Sequence, residues 1–353
     1  MSNLFRLRQT WDIARLQLRR VFFSRRSLGV YFLALFPSLM FFGHGIMMKI
    51  NYSSMSSKIT PAALLESISQ GTSEEEVIKK TGKPNKDRRF NIGPNKQSRR
   101  HMMYFDGERR WNLFFSNGVL QNKHSQQIFN LNGDRMAFAS MFQTYYLRLA
   151  IFFGCLVIFM NLFRGEMTDK TLHFWFLAPA RREVLLAGKY LAGTITTVTI
   201  FAVGAVLSYA IMLWPHHSAQ VTAFWQDQGL LHLFSYTSSA ALACIGYGSV
   251  FLAVGLVLRN PIVTAVVILL WEYVNGILPS LLQKLSVLYY AQSLCPVSVP
   301  VDKNMPLLIR LLMSPAEPPS VFTAVFGFII VTALVLWIAS FIIRRLEINY
   351  NTE

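Results

Sequence analysis

The chain has 353 residues, of which 53% are hydrophobic and only 15% charged, yet 34 Lys and Arg against 18 Asp and Glu leave a formal charge of +16. An average soluble domain is about 25% charged, and disorder requires low hydrophobicity, so a cytosolic globular fold and an unfolded tail are both excluded. The apolar residues stand in long blocks with the basic residues between them. That is how a membrane protein distributes the cations that orient it, and no nucleic-acid partner is expected.

In chain order, residues 1–27 read as an interfacial helix. Leu4, Leu7, Trp11, Ala14, Leu18 and Val21 recur at three- and four-residue steps, and Arg6, Arg8, Arg15, Arg19 and Arg20 take the other face. No short apolar core with a small-residue cleavage site follows, so no cleaved leader is expected. A first span is predicted at 28–48, long enough to cross about 30 Å of hydrocarbon.

Residues 51–135 change texture and read as a small α+β domain. Residues 60–80 are predicted helical, with Thr72 and Ser73 ahead of Glu74, Glu75 and Glu76 as a start signal and Gly82 and Pro84 as a stop. Strand-like runs at 102–105, 110–115 and 119–123 are separated by Asp106-Gly107 and by Ser116-Asn117-Gly118, which predicts an antiparallel meander. The wording from Gly71 to Pro84 and from Trp111 to Gly118 resembles the small lipoprotein domain of outer-membrane barrel assembly. That resemblance implies a protein-binding module for an envelope partner; a spacer without a partner is the alternative.

Further spans are predicted at 145–163, 190–214, 231–258, 261–280 and 321–343, with an external segment at 281–320. Arg148 stands near the start of the second of the six and reads as a snorkelling residue. Basic residues cluster before the first span, at Arg164, Lys170, Arg181, Arg182 and Lys189, and at Arg344 and Arg345, while 215–230 has neither Lys nor Arg. These facts agree on one topology. It is an all-α polytopic membrane protein with six transmembrane helices, both termini cytoplasmic, and the α+β domain inserted outside between spans one and two. The bacterial inner membrane is the expected location.

The loop at 164–189 carries Glu166, Thr171, Leu172, Leu177, Pro179, Arg182, Leu185, Leu186, Gly188 and Lys189 in an order similar to the membrane subunits of the type-2 ABC exporter family. Lys170 stands where that family has Gly. The resemblance implies a permease that works as a homo- or heterodimer with separate ABC ATPase subunits. It implies an ATPase-coupling role for Glu166, Thr171, Leu172, Trp175, Leu177, Pro179 and Arg182. By composition, a short helix ending before Pro179 carries Phe174, Trp175 and Phe176 between charges of both signs, which marks a protein contact. Neither Gly82-Lys83-Pro84 nor Gly188-Lys189-Tyr190 completes a phosphate-binding loop. ATP and Mg are therefore expected on the partner, with no cofactor and no catalytic residue in this chain.

Inside the spans, Glu272 lies about 16 Å beyond Pro261 at 1.5 Å per residue. A carboxylate there is costly unless paired, so Glu272 with Asn275 is a candidate for a pathway or dimer interface, or for a structural hydrogen bond. His44 beside Met47 and Met48, and the pair His216-His217, point to no metal or catalytic site, and Cys155, Cys244 and Cys295 to no disulfide or zinc framework. The function expected is ATP-driven export of an amphiphile (lipid, glycan, peptide or drug), membrane lipids being further partners. The alternative is a mechanical transducer that acts through its external domain without moving a substrate.

Overall fold

A computed structural model describes residues 3–92, 97–168, 171–177, 180–258, 260–274, 280–297 and 320–345. The helices are α1 (Asn3–Phe22), α2 (Arg25–Ser56), α3 (Ala62–Glu66), α4 (Glu74–Thr81), α5 (Leu131–Met141), α6 (Ile151–Thr168), α7 (Leu172–Leu177), α8 (Arg182–Leu213), α9 (Ser218–Phe224), α10 (Leu230–Gly255), α11 (Pro261–Val274), α12 (Ser280–Gln283), α13 (Val287–Ser293) and α14 (Val321–Arg344). A π-helical stretch at Phe142–Ala150 joins α5 to α6, and another at Trp225–Gly229 joins α9 to α10.

Among the described residues, five helices are long and apolar enough to cross a membrane: Arg25–Ser56, Leu131–Met167, Arg182–Leu213, Ser218–Gly255 and Val321–Arg344. Within the predicted span at 261–280 the described helix is α11, of 14 residues. Residues 275–279, including Asn275, and most of the segment at 281–320 lie outside the described residues. The second long helix starts at Leu131, well before the expected 145. Arg148 therefore stands mid-helix rather than near an end, with its guanidinium 5.7 Å from the Tyr273 ring centre.

The chain divides into two compact units, the first formed by residues 1–39, 135–210 and 224–353. Its core is the pairing of α6 with α10, where Phe152 meets Tyr247 and Phe251 edge-on at 5.4 and 5.0 Å. Edge-to-face rings at this distance satisfy each other's quadrupoles. Tyr146, in the π-helical stretch, donates to the Phe201 carbonyl of α8 at 2.6 Å. The helix α13 packs against α10 and α14, with Ser239 donating to the Ala291 carbonyl at 2.6 Å.

The second unit comprises residues 40–134 and 211–223. Its sheet has strands β1 (Lys86–Ile92), β2 (Gln97–Phe105), β3 (Arg109–Ser116) and β4 (Val119–Gln127), antiparallel in sequence order. Alternation sends Met102, Tyr104, Trp111, Leu113, Phe115 and Leu120 to one face, where Leu65, Ile68 and Val77 of the helical segment close the core. The β3–β4 turn places Asn117 and Gly118 at positive φ (51° and 81°), the geometry of a two-residue hairpin. β1 was not among the expected strands, since Lys86, Asp87, Arg88 and Arg89 carry no apolar alternation. Its pairing with β2 supplies what its side chains lack.

The continuous helix expected over 60–80 is instead α3 and α4. Gly71, at φ +92°, breaks the run. Its N–H bonds the Leu120 carbonyl at 2.9 Å, so sheet docking wins over helix propagation. Ser73 caps α4 by accepting the Glu76 N–H at 3.3 Å, as its position before three acids predicts.

Arg100, nearly buried, donates to Asp87 at 2.9 and 2.6 Å and to Glu74 at 2.7 Å, tying β2 to β1 and α4. The hydrogen bonds from Arg100 hold the Asp87 carboxyl below its ordinary 3.8. A carboxyl depressed on folding stabilises above its unfolded pKa and loses that contribution as pH falls through the folded value. Amide exchange of β1 and β2, corrected for intrinsic rates, is thus expected to accelerate as pH drops below about 3.8. Arg100→Met should remove this dependence; an unchanged acid profile in that variant would refute the assignment.

Candidate functional site

The loop between α6 and α8 is organised by Glu166. This residue is only 3% exposed, so it is no surface charge of the loop. Its Oε2 pairs with Lys189 Nζ of α8, and its Oε1 accepts from Gln17 Nε2 of α1 at 2.9 Å, with Arg20 Nη1 3.6 Å away. Lys189 also donates to the Leu162 carbonyl at 2.5 Å. One carboxylate thus joins α6 and α8 to α1, which lies far away in sequence.

The loop hangs from the same residue. The Glu166 carbonyl accepts the Thr171 N–H at 2.8 Å, and Leu172 is fully buried at the start of α7. Lys189, itself fully buried, lies 4.5 Å from the Phe163 ring centre and 5.7 Å from that of Trp175. An ammonium over aromatic faces gains quadrupole attraction where water is absent. Arg182 stacks on Phe176 at 4.4 Å and donates to the carbonyls of Ile343 and Arg344 at 3.3 and 3.1 Å. A cation there meets the carbonyls at the negative end of the α14 dipole. Arg344 in turn pairs with Glu183 at 2.5 Å.

Of the residues read as coupling positions, Glu166, Thr171, Leu172, Trp175 and Arg182 are bound into this framework. Leu177 (79% exposed) and Phe174 (65%) project from it. Pro179 lies outside the described residues, as do Asp169 and Lys170.

Sequence reasoning missed Gln17 and treated Lys189 and Gly188 only as parts of a pattern. Gly188 has a physical reason. A Cβ there would lie 2.7 Å from Ile13 Cγ2 and 2.9 Å from the Thr10 carbonyl oxygen, so only glycine lets α1 approach α8 this closely. The side of α1 buried in the protein is Ile13, Ala14 and Gln17, and Leu7 and Trp11 of the expected apolar stripe stay exposed. A lone cation within the apolar run 184–213 was the available signal for Lys189.

Glu272 is buried and accepts from Ser286 Oγ, the N-cap residue of α13. The Tyr247 hydroxyl and the backbone N–H groups of Val287 and Leu288 also face it. Its carboxylate therefore sits at the start of α13, where orphan amides need an acceptor. In the second unit, His44 and His216 both bond Asp134, at 3.3 and 2.9 Å. Among the described residues no cluster of three or more His, Cys, Asp or Glu is arranged to hold a metal ion.

The family model for ABC-2 family transporter proteins matches residues 11–313. The chain belongs to the ABC-2 transporter family. It is thus a multi-pass permease subunit of an ABC transporter, and the family implies association with ABC ATPase subunits. A search of curated proteins finds no match for it.

Removing one member of a buried ion pair costs about 3–5 kcal/mol, because the survivor is left charged and unpaired. Lys189→Met in this ABC-2 permease is expected to lower its unfolding temperature in detergent sharply. Adding Glu166→Gln should recover most of that loss. A double variant no more stable than the single one would show that the pair is not what Lys189 is for.

Proposed function

We propose that this ABC-2 permease drives export of an amphiphilic substrate, powered by ATP hydrolysis on a separate subunit that grips the loop around α7. The observation that carries this reading is the Glu166 junction. It connects α7 to α1, α6 and α8, so a force applied to the loop reaches two long apolar helices and the preceding helix at one point. Phe174 and Leu177 offer the apolar contact, and Thr171, Leu172, Trp175 and Arg182 anchor it. ATP closure would bias a two-state arrangement of the spans through this joint.

In this reading both ends of the chain and the α7 loop face the cytoplasm of a bacterial cell, and the α+β domain at 51–135 lies outside. Two protomers, identical or different, enclose the path, and a lipid, glycan, peptide or drug fits its apolar walls. The compact core of the second unit supports the other reading as well: an ATP-driven lever whose external unit acts on an envelope protein, with no substrate crossing.

Phe174→Asp with Leu177→Asp is expected to reduce co-purification of the ATPase from native membranes by about tenfold or more, the loss of two apolar anchors at an interface. The Glu166–Lys189 pair, probed by thermal unfolding, should be untouched. Undiminished ATPase recovery would overturn the docking assignment. Deleting residues 60–127 separates the two readings: substrate transport into vesicles should survive if the chain is an exporter.

A further inference from the structure

The second unit closes on one side with a strand that its own side chains do not explain. Lys86, Arg88, Arg89 and Phe90 of β1 are all exposed. β1 stands at one end of the sheet order and pairs with β2, so alternate backbone N–H and C=O groups point away from the ladder. Among the described residues no other backbone group bonds that outer edge. The register sets Lys86 beside Met103, Arg88 beside His101 and Phe90 beside Arg99. Alternation puts these side chains on the face opposite Met102 and Tyr104 of the core. Phe90 is 45% exposed there, and His101 stacks at 4.5 Å on Phe114, itself 43% exposed.

This face is basic without compensation. No Asp or Glu occurs from Arg88 to Phe105, and the sequences of β3 and β4 contain none. Asp87 and Glu74 are taken by Arg100 on the other face. Among the described residues Lys86, Arg88 and Arg99 form no ion pair. An open edge is a template for another strand, and cations along it select which strand. A second copy of this chain is disfavoured, since antiparallel self-pairing brings Lys86 and Arg88 against like charges. Carboxylates opposite them are favoured by the same cross-strand proximity. We propose that the β1 edge takes an acidic, extended segment of a partner protein as an added strand, with carboxylates opposite Lys86 and Arg88 and an apolar side chain against Phe90. Ladder hydrogen bonds give the affinity, and the two cations give the choice of sequence. A bare polyanion meets the cations but leaves the amides unpaired. The site belongs to the second unit alone and stands apart from both readings of transport.

The test uses the full chain in a neutral detergent and a fluorescein-labelled peptide of alternating Glu and Val, read by fluorescence anisotropy. Saturable binding is expected, with the counterpart of alternating Gln and Val about tenfold weaker through the loss of its cross-strand charge pairs. Lys86→Gln with Arg88→Gln should weaken the acidic peptide to the same degree. Lys79→Gln with Lys80→Gln, exposed on α4, removes equal charge and should leave binding unchanged. Methylating the peptide nitrogens that would face β1 keeps every carboxylate and should abolish binding. Absence of saturable binding would overturn the site. Equal affinity of the two peptides, or an equal loss in the Lys79 and Lys80 variant, would overturn the charge assignment. An N-methylated peptide that binds undiminished would overturn strand addition. Heparin, compared at equal charge, should compete more weakly than unlabelled peptide; heparin that competes more strongly would overturn the peptide in favour of an anionic glycan.

Discussion

The first unit depends on one buried carboxylate. Glu166 and Lys189 are both removed from water and pair with each other there. Gln17, Arg20 and the Leu162 carbonyl add polar partners to the pair. A junction of this kind specifies more than it stabilises. A shift of α8 relative to α6 would strand a charge, and a shift of α1 would break the Gln17 hydrogen bond, so the three helices share one register. Because the Glu166 backbone also holds Thr171, the loop inherits that register.

Rigid attachment and exposure are divided within six residues. Leu172 is locked in and Trp175 lies near the Lys189 ammonium, while Phe174 and Leu177 stand out. Helical residues three apart share a face, so α7 carries Leu172 and Trp175 on an anchored side and Phe174 and Leu177 on a free one. Arg182 extends the arrangement to the end of α14 by giving its guanidinium to the carbonyls of its last turn. The polar groups deep in the helical unit follow the same economy. Glu272 serves the first amides of α13, which a neighbouring side chain must satisfy where water is scarce.

The second unit rests on different physics. Its sheet buries one face against α3 and α4, and the ionic contact of Arg100 with Asp87 and Glu74 borders that core. Lys123 donates to the carbonyls of Leu65, Glu66 and Ile68 at 3.2, 3.0 and 2.8 Å, so the end of α3 is capped from β4. Local turn chemistry and one strand-to-helix cap give this small unit a core without cysteine.

Much of this was determined by the residues alone. Long apolar blocks require helices, because backbone polar groups must be satisfied internally in hydrocarbon. Ser73 before three acids, and Asn117-Gly118 between strands, carry their local geometry in their side chains. The order of residues around Glu166 and Gly188-Lys189 pointed to the family that residues 11–313 match. Tertiary structure alone decided what those residues touch. That Gln17 meets Glu166 across 149 residues, that Ile13 fills the space above Gly188, and that Trp11 turns outward follow from the docking of α1. Periodicity reports which side of a helix is apolar. It does not report which edge of that side a neighbouring helix will cover, since that choice is made by complementary shape and by charges that must find each other out of water.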